Sequence, residues 1–172
     1  MAELLSSERL QPALIDRLTD DAPQAALESR DKRVLSMRGL RRAVLRDLGW
    51  LLNSTNLAAS QALDDTPLAA QSVLNFGLPD LTGKTASSLD RAALARRIRQ
   101  AIWDFEPRIL RDSLRVVALA PGQAGAAPNQ VMFEIHGELW GQPLPERLYL
   151  KTELDLEIGE LRLFDMEAGG AR

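Results

Sequence analysis

Few residues of this sequence could do chemistry, and most of them sit in its second half. In "WDFEPRIL", residues 103–110, Asp104 and Glu106 stand two apart. Paired carboxyls are what a glycosidase needs, one acid for the leaving oxygen and a second group about 5–10 Å away across a sugar cleft. The same stretch holds Arg108. In extended backbone, residues two apart project the same way, so Glu106 and Arg108 can point together with Pro107 fixing the chain between them. Three roles fit: an acid and its partner, an internal clip, or a surface gripped by another protein. Further on, His136 lies between Glu134 and Glu138, and Glu153, Asp155 and Glu157 follow in the next alternating run. A histidine among acids is the raw material of a metal site. "GLPDLTGKT" ends like a phosphate-binding loop.

Spacing and residue types weaken each of these candidates. A phosphate loop needs a glycine with four residues between it and Gly-Lys-Thr, and Leu78 stands in that place. No buried strand precedes it, so its amides would not wrap a phosphate. His136 is the sole histidine and there is no cysteine. A serine- or cysteine-based triad is therefore not assembled. If the two alternating runs form a hairpin across "GQPLPER", centred near residues 144 and 145, Glu138 faces Lys151 and His136 faces Glu153. Such pairs are complementary without a metal. In that register Glu134 faces Asp155, a like-charge pair. A solvated face is the first reading of these acids, and a docking face for a basic partner the second. Asp104 and Glu106 qualify by type only, because nothing marks a sugar platform. Trp50 and Trp103 fall in or beside helical apolar stripes, where packing is the default, and Trp140 ends a strand. No catalytic residue, cofactor or metal is expected.

The elements that must position these residues follow from periodicity. "SSERLQPALIDRL" reads as a short helix with Leu10, Leu14 and Leu18 four apart, and Pro12 is tolerable in its first turn. "TDDAPQAALESRDK" reads as a linker. Residues 1–30 are thus expected as a short helix and linker that could sit away from the body, and residues 31–172 as a single α+β domain. "SMRGLRRAVLRDLGWLLNS" is a helix capped by Ser36, with Leu40, Val44, Leu48, Leu51 and Leu52 on one stripe and Arg41, Arg42 and Asp47 off it. Residues 57–88 read as a packed loop with one helical turn near 68–74. "SSLDRAALARRIRQAIWDF" is a second helix, with Ser87 and Asp90 in a capping-box spacing and Leu94, Ile98, Ala101, Ile102 and Phe105 on its apolar face. Pro107 stops it.

Beyond Pro107 the period drops to two. "DSLRVVAL" is a strand, and "APGQAGAAPN" is a Gly/Ala/Pro loop. "QVMFEIHGELW" points Val131, Phe133, Ile135 and Leu139 one way, and Glu134, His136 and Glu138 the other. "RLYLKTELDLEI" points Leu148, Leu150, Leu154, Leu156 and Ile158 inward. This is an antiparallel sheet with one dry and one wet face. Helices first and strands last predict an α+β fold, its helices packed on one face of a small antiparallel β-sheet.

The chain has 172 residues, 45% of them apolar and 26% charged, which suits one soluble domain with a core. No run approaches 18 apolar residues and the N-terminus lacks the pattern of a secretory signal, so neither a membrane span nor export is expected. The net charge of −3 hides an asymmetry. Residues 30–46 carry seven bases and one acid, whereas residues 134–167 carry nine acids and three bases. Such halves suit a molecule docked between differently charged neighbours, or simply two solvated faces. The arginines at 91–99 do not make a nucleic-acid site in a chain that is acidic overall and poor in stacking aromatics.

Taken together, "DLGWLLNS", "SVLNFGLPDLTG", "FEPRI", "FEIHGELW" and "LYLKTELDLEIGEL" resemble the TssE baseplate wedge subunits of bacterial type VI secretion systems. These belong to the contractile-phage baseplate wedge family that is named after a tail lysozyme. The likeness spans roughly residues 10–160, and Gly-Leu-Pro-Asp and Glu-Pro-Arg are its most specific parts. It implies a non-enzymatic, cytoplasmic protein in the baseplate docked at the inner membrane. Its implied partners are the wedge proteins TssF and TssG, with TssK a further candidate, and the sheath subunits TssB and TssC by strand addition. It places partner binding on Glu106, Pro107 and Arg108. The strand at 148–158 is expected to offer an open edge to the sheath. Two alternatives are a lysozyme-like peptidoglycan hydrolase and a regulatory anti-adaptor on the same fold.

Overall fold

The structure, a computed structural model, describes residues 13–19, 24, 36–81, 83, 85, 88–120, 129–141 and 144–166. Helices α1 (Leu14–Leu18), α2 (Met37–Leu52), α3 (Pro67–Ala70) and α4 (Arg91–Phe105) precede strands β1 (Arg115–Ala118), β2 (Gln130–Leu139), β3 (Glu146–Asp155) and β4 (Leu161–Asp165). The strands form one antiparallel sheet in the order β1-β2-β3-β4. The fold is α+β, with α2 and α4 on the dry face of that sheet.

The apolar stripe of α2 forms as the spacing predicts. Leu40, Val44, Leu48, Leu51 and Leu52 are all buried, each contributing roughly 1.5–3 kcal/mol relative to exposure. Ser36 caps the helix by accepting from the Gly39 N–H at 3.1 Å. In α4 Leu94, Ile98, Ala101 and Ile102 are buried against Phe133, Ile135, Leu150 and Leu154 of the sheet core. The cap differs from the expected box. Asp90 is itself the N-cap and accepts from Ala93 N–H at 2.8 Å, so the helix starts at Arg91. Ser87, Leu10, the linker and the loop at 121–128 lie outside the described residues.

"FGLPD" is built by close backbone approach. Leu78 N–H donates to Ser54 O at 2.8 Å, and Asn56 N–H donates to Leu78 O at 2.9 Å. This parallel bridge ties the loop to the end of α2. Gly77 has φ +121°, and a Cβ there would lie 2.2 Å from Ser54 O. Only glycine permits that contact.

Three sequence expectations are corrected. The β2–β3 hairpin turns two residues earlier than expected, so Glu138 faces Arg147, His136 faces Tyr149 and Glu134 faces Lys151. The like-charge pair disappears, and cross-strand complementarity chooses this register. Second, β3 is interior. The unanticipated β4 pairs with its Leu150–Leu154 stretch, so residues 148–158 do not offer the open edge assigned to them. The chain leaves the strand after Asp155, and Ile158, expected inside, is exposed. Third, the bases of residues 30–46, expected on a docking or a solvated face, do not all lie there, for Arg41 turns into the body. It is buried, donating from Nε and Nη2 to Asp165 at 2.6 and 2.7 Å, and from Nη1 to Glu146 and to Arg147 O. Part of the charge asymmetry is therefore satisfied inside the molecule, between α2 and the acidic strands.

The candidate site at the Glu-Pro-Arg junction

α4 ends because Glu106 leaves helical geometry ahead of Pro107. Its N–H still closes the last turn on Ile102 O at 2.9 Å. The chain then joins the sheet edge. Arg108 O accepts from Trp140 N–H at 2.8 Å, Leu110 N–H donates to Glu138 O at 2.9 Å, and Ile109 bridges Leu139. Gly137 makes room for this packing, since a Cβ there would come within 3.1 Å of Ile109. The backbone around the motif is thus held from both sides, by helix and by sheet.

Within this frame Glu106 and Arg108 do project together. Glu106 is 3% exposed. Arg108 Nε donates to Oε1 at 2.6 Å, Nη2 donates to Oε2, and the Arg108 N–H also reaches Oε1 at 3.2 Å. Arg108 Nη2 further donates to Asp47 Oδ2 of α2 at 2.6 Å. Asp47 in turn accepts from Arg46 Nε at 2.9 Å, and Arg46 Nη1 pairs with Asp16 of α1. The charges alternate along the row Glu106, Arg108, Asp47, Arg46, Asp16. Burial works against the Arg108 charge, but Glu106 and then Asp47 outweigh it and hold the guanidinium above its ordinary pKa. The hydrogen bond to Asp16 raises Arg46, and the same bond lowers Asp16 against the opposing effect of burial. Pro107 itself is exposed.

Beside this row lies an apolar cleft of about 310 Å³ bordered by Ile15, Leu48, Trp50, Leu51, Phe76 and Phe105. Phe76 and Phe105 meet edge to face, their centroids 5.3 Å apart. The Arg46 guanidinium sits 5.0 Å over the Trp50 ring, which is half exposed rather than packed in the core.

Asp104 and Glu106 do not form a carboxyl pair. Asp104 accepts from Gln100 and borders a second cleft, of about 400 Å³, with Asn56, Asn75 and Arg97. Glu106 borders the apolar one, and both its oxygens are taken by Arg108. On the wet sheet face Glu134 accepts from the Tyr149 hydroxyl at 2.8 Å and lies 3.3 Å from His136 Nε2 and 3.9 Å from Lys151 Nζ. The tyrosine bond, against the opposing effect of burial and helped by His136, holds the Glu134 carboxyl below its usual range. His136 and Tyr149 stack at 4.6 Å. This cluster is complementary as it stands. Trp103 Nε1 donates to Arg111 O, and Trp140 is exposed.

Asp47, Arg46 and Asp16 were not singled out by sequence reasoning. One signal was present: Asp47 is the lone acid of α2 among four arginines. Among the described residues no helix is long and apolar enough to cross a membrane.

A family model, that of the baseplate wedge protein gp25, matches residues 38–144. The match takes in α2 from its second residue, the Gly-Leu-Pro-Asp bridge, α4, the Glu-Pro-Arg junction, β1 and β2, and leaves out α1, β3 and β4. Comparison with curated proteins and with solved structures returned no match. With more than half of its length matched, the chain belongs to the baseplate wedge protein gp25 family, the family to which TssE belongs.

Proposed function

We propose that this protein is a non-enzymatic structural subunit of a type VI secretion baseplate. It joins the wedge proteins TssF and TssG through Glu106, Pro107 and Arg108 and starts assembly of the contractile sheath. The observation that carries this reading is the junction itself. A buried carboxylate and a paired guanidinium are fixed on two elements at the rim of an apolar cleft, with Pro107 exposed between them. That combination suits recognition, because charges prearranged at an interface lose little freedom on binding. Sheath subunits TssB and TssC would add a strand at β1. It is an edge strand, and a groove of about 300 Å³ runs beside it, lined by Ala92, Ala95, Arg96, Arg99 and Val116.

Co-purification with TssF and TssG tests the wedge role. Because Glu106 and Arg108 also hold the junction together, the double variant Glu106→Ala, Arg108→Ala is paired with Pro107→Asp, which keeps both charged side chains and alters the exposed residue between them. Loss of wedge binding in both, with an intact melting transition for Pro107→Asp, is the expected result. Full binding by a folded double variant would remove the motif from the interface.

A further inference from the structure

The row of charges ends at α1, and the way α1 is held is unusual. Its leucines do not pack. Leu14 is 69% and Leu18 is 76% exposed, so the leucines spaced four apart do not face the body. The helix has five residues and no side-chain cap at its N-terminus, far below the length at which a helix is stable by itself. Two of its residues face the body. Ile15 borders the apolar cleft that Glu106, Arg108 and Asp47 also border, and Asp16 pairs with Arg46.

The fit is poor at both points. Ile15 remains 46% exposed, so it fills only part of its seat. Asp16 Oδ2 is buried without a hydrogen-bond partner, whereas Arg46 Nη2 lies 2.8 Å from Asp47 Oδ1 and so is drawn to α2 rather than to α1. A buried polar atom without a partner weakens the contact it belongs to. The seat beneath α1 is nevertheless well formed, with an apolar cleft walled by Trp50, Phe76 and Phe105 next to a guanidinium. Without α1, Arg46 would share Asp47 with Arg108 and leave the outer end of the row positive.

We infer that Ile15 and Asp16 occupy the seat of a partner segment, one helical turn carrying an apolar side chain followed by a carboxylate, and that α1 is a built-in competitor for it. This rests on the reading of the junction as a docking site and adds the chemistry of what docks. A tethered competitor lowers the apparent affinity of any outside segment by the fraction of molecules in which the seat is filled.

The test uses the full chain and a fluorescent peptide copying residues 11–20, with anisotropy as the readout. The Asp16→Asn variant should bind the peptide about tenfold more tightly than the unaltered chain, because its own turn no longer competes. A peptide with Asn in place of the aspartate should lose that gain, and so should Arg46→Ala introduced into the Asp16→Asn chain. Equal affinity for both chains, equal affinity for both peptides, or no binding at all would overturn the proposal. Matched melting temperatures exclude a folding artefact. If the peptide behaves as expected while Pro107→Asp binds the wedge proteins normally, the seat stands and the wedge assignment falls.

Discussion

Arg41 and Arg108 are each drawn into the body by two carboxylates, yet they sit in different surroundings. Arg41 joins α2 to β3 and β4, and its donors end on Asp165, Glu146 and the Arg147 carbonyl. Its side chain is 10% exposed and that of Asp165 is 11% exposed. Arg108 joins the end of α4 to α2, with its carboxylates on Glu106 and Asp47, but its side chain is 24% exposed and borders an apolar cleft. A guanidinium sealed among its partners is a fastener. One that is satisfied and still reachable can also be read by another molecule. Burying a charge is tolerable only when its partners come with it, and this protein meets that condition twice, once in a closed place and once in an open one.

The largest expected effect tests the closed place. Arg41→Ala removes the buried guanidinium that Asp165 and Glu146 share and should cost about 3–5 kcal/mol, read by chemical denaturation. Arg108→Ala should cost less, about 2–3 kcal/mol, since water can reach the vacated site, and it should abolish wedge binding. If the two variants lose equal stability and wedge binding survives Arg108→Ala, the contrast between fastener and docking point fails.

Acid sharpens the contrast at α1. The Asp16 carboxyl is held below its ordinary value by Arg46. A depressed folded pKa means that the contact is at full strength above the ordinary aspartate value, about 3.9, and is lost as pH falls through the lowered one. In hydrogen exchange, the protection of the α1 amides relative to a free peptide should hold down to about pH 4 and fall below it. The smallest effect belongs to the wet face of the sheet. Tyr149→Phe removes one bond from a half-buried cluster at the sheet surface and should leave the melting temperature unchanged within error. A clear drop would move that cluster from solvated face to structural element.

Most of the scaffold was legible in the sequence, for identifiable reasons. The stripe of α2, the Ser36 cap, the stop at Pro107 and the alternation of β2 are all local. Each depends on residues within a few positions, where helical and strand periods leave little choice. The joint projection of Glu106 and Arg108 was legible for the same reason. The hairpin register was not, because a turn of either length keeps the apolar faces aligned, and Lys151 opposite Glu134 decides between them. β4 also escaped notice, being only five residues long.

By itself the sequence determined helices α2 and α4, the alternation of β2 and of most of β3, which faces are dry, and that a carboxylate and a guanidinium stand together at the junction. Tertiary structure alone decided what those charges meet. Asp47 is 61 residues from Arg108 and Asp165 is 124 from Arg41. No local period links positions so far apart, and only the packing of α2 against α4 and the sheet brings them within hydrogen-bonding reach.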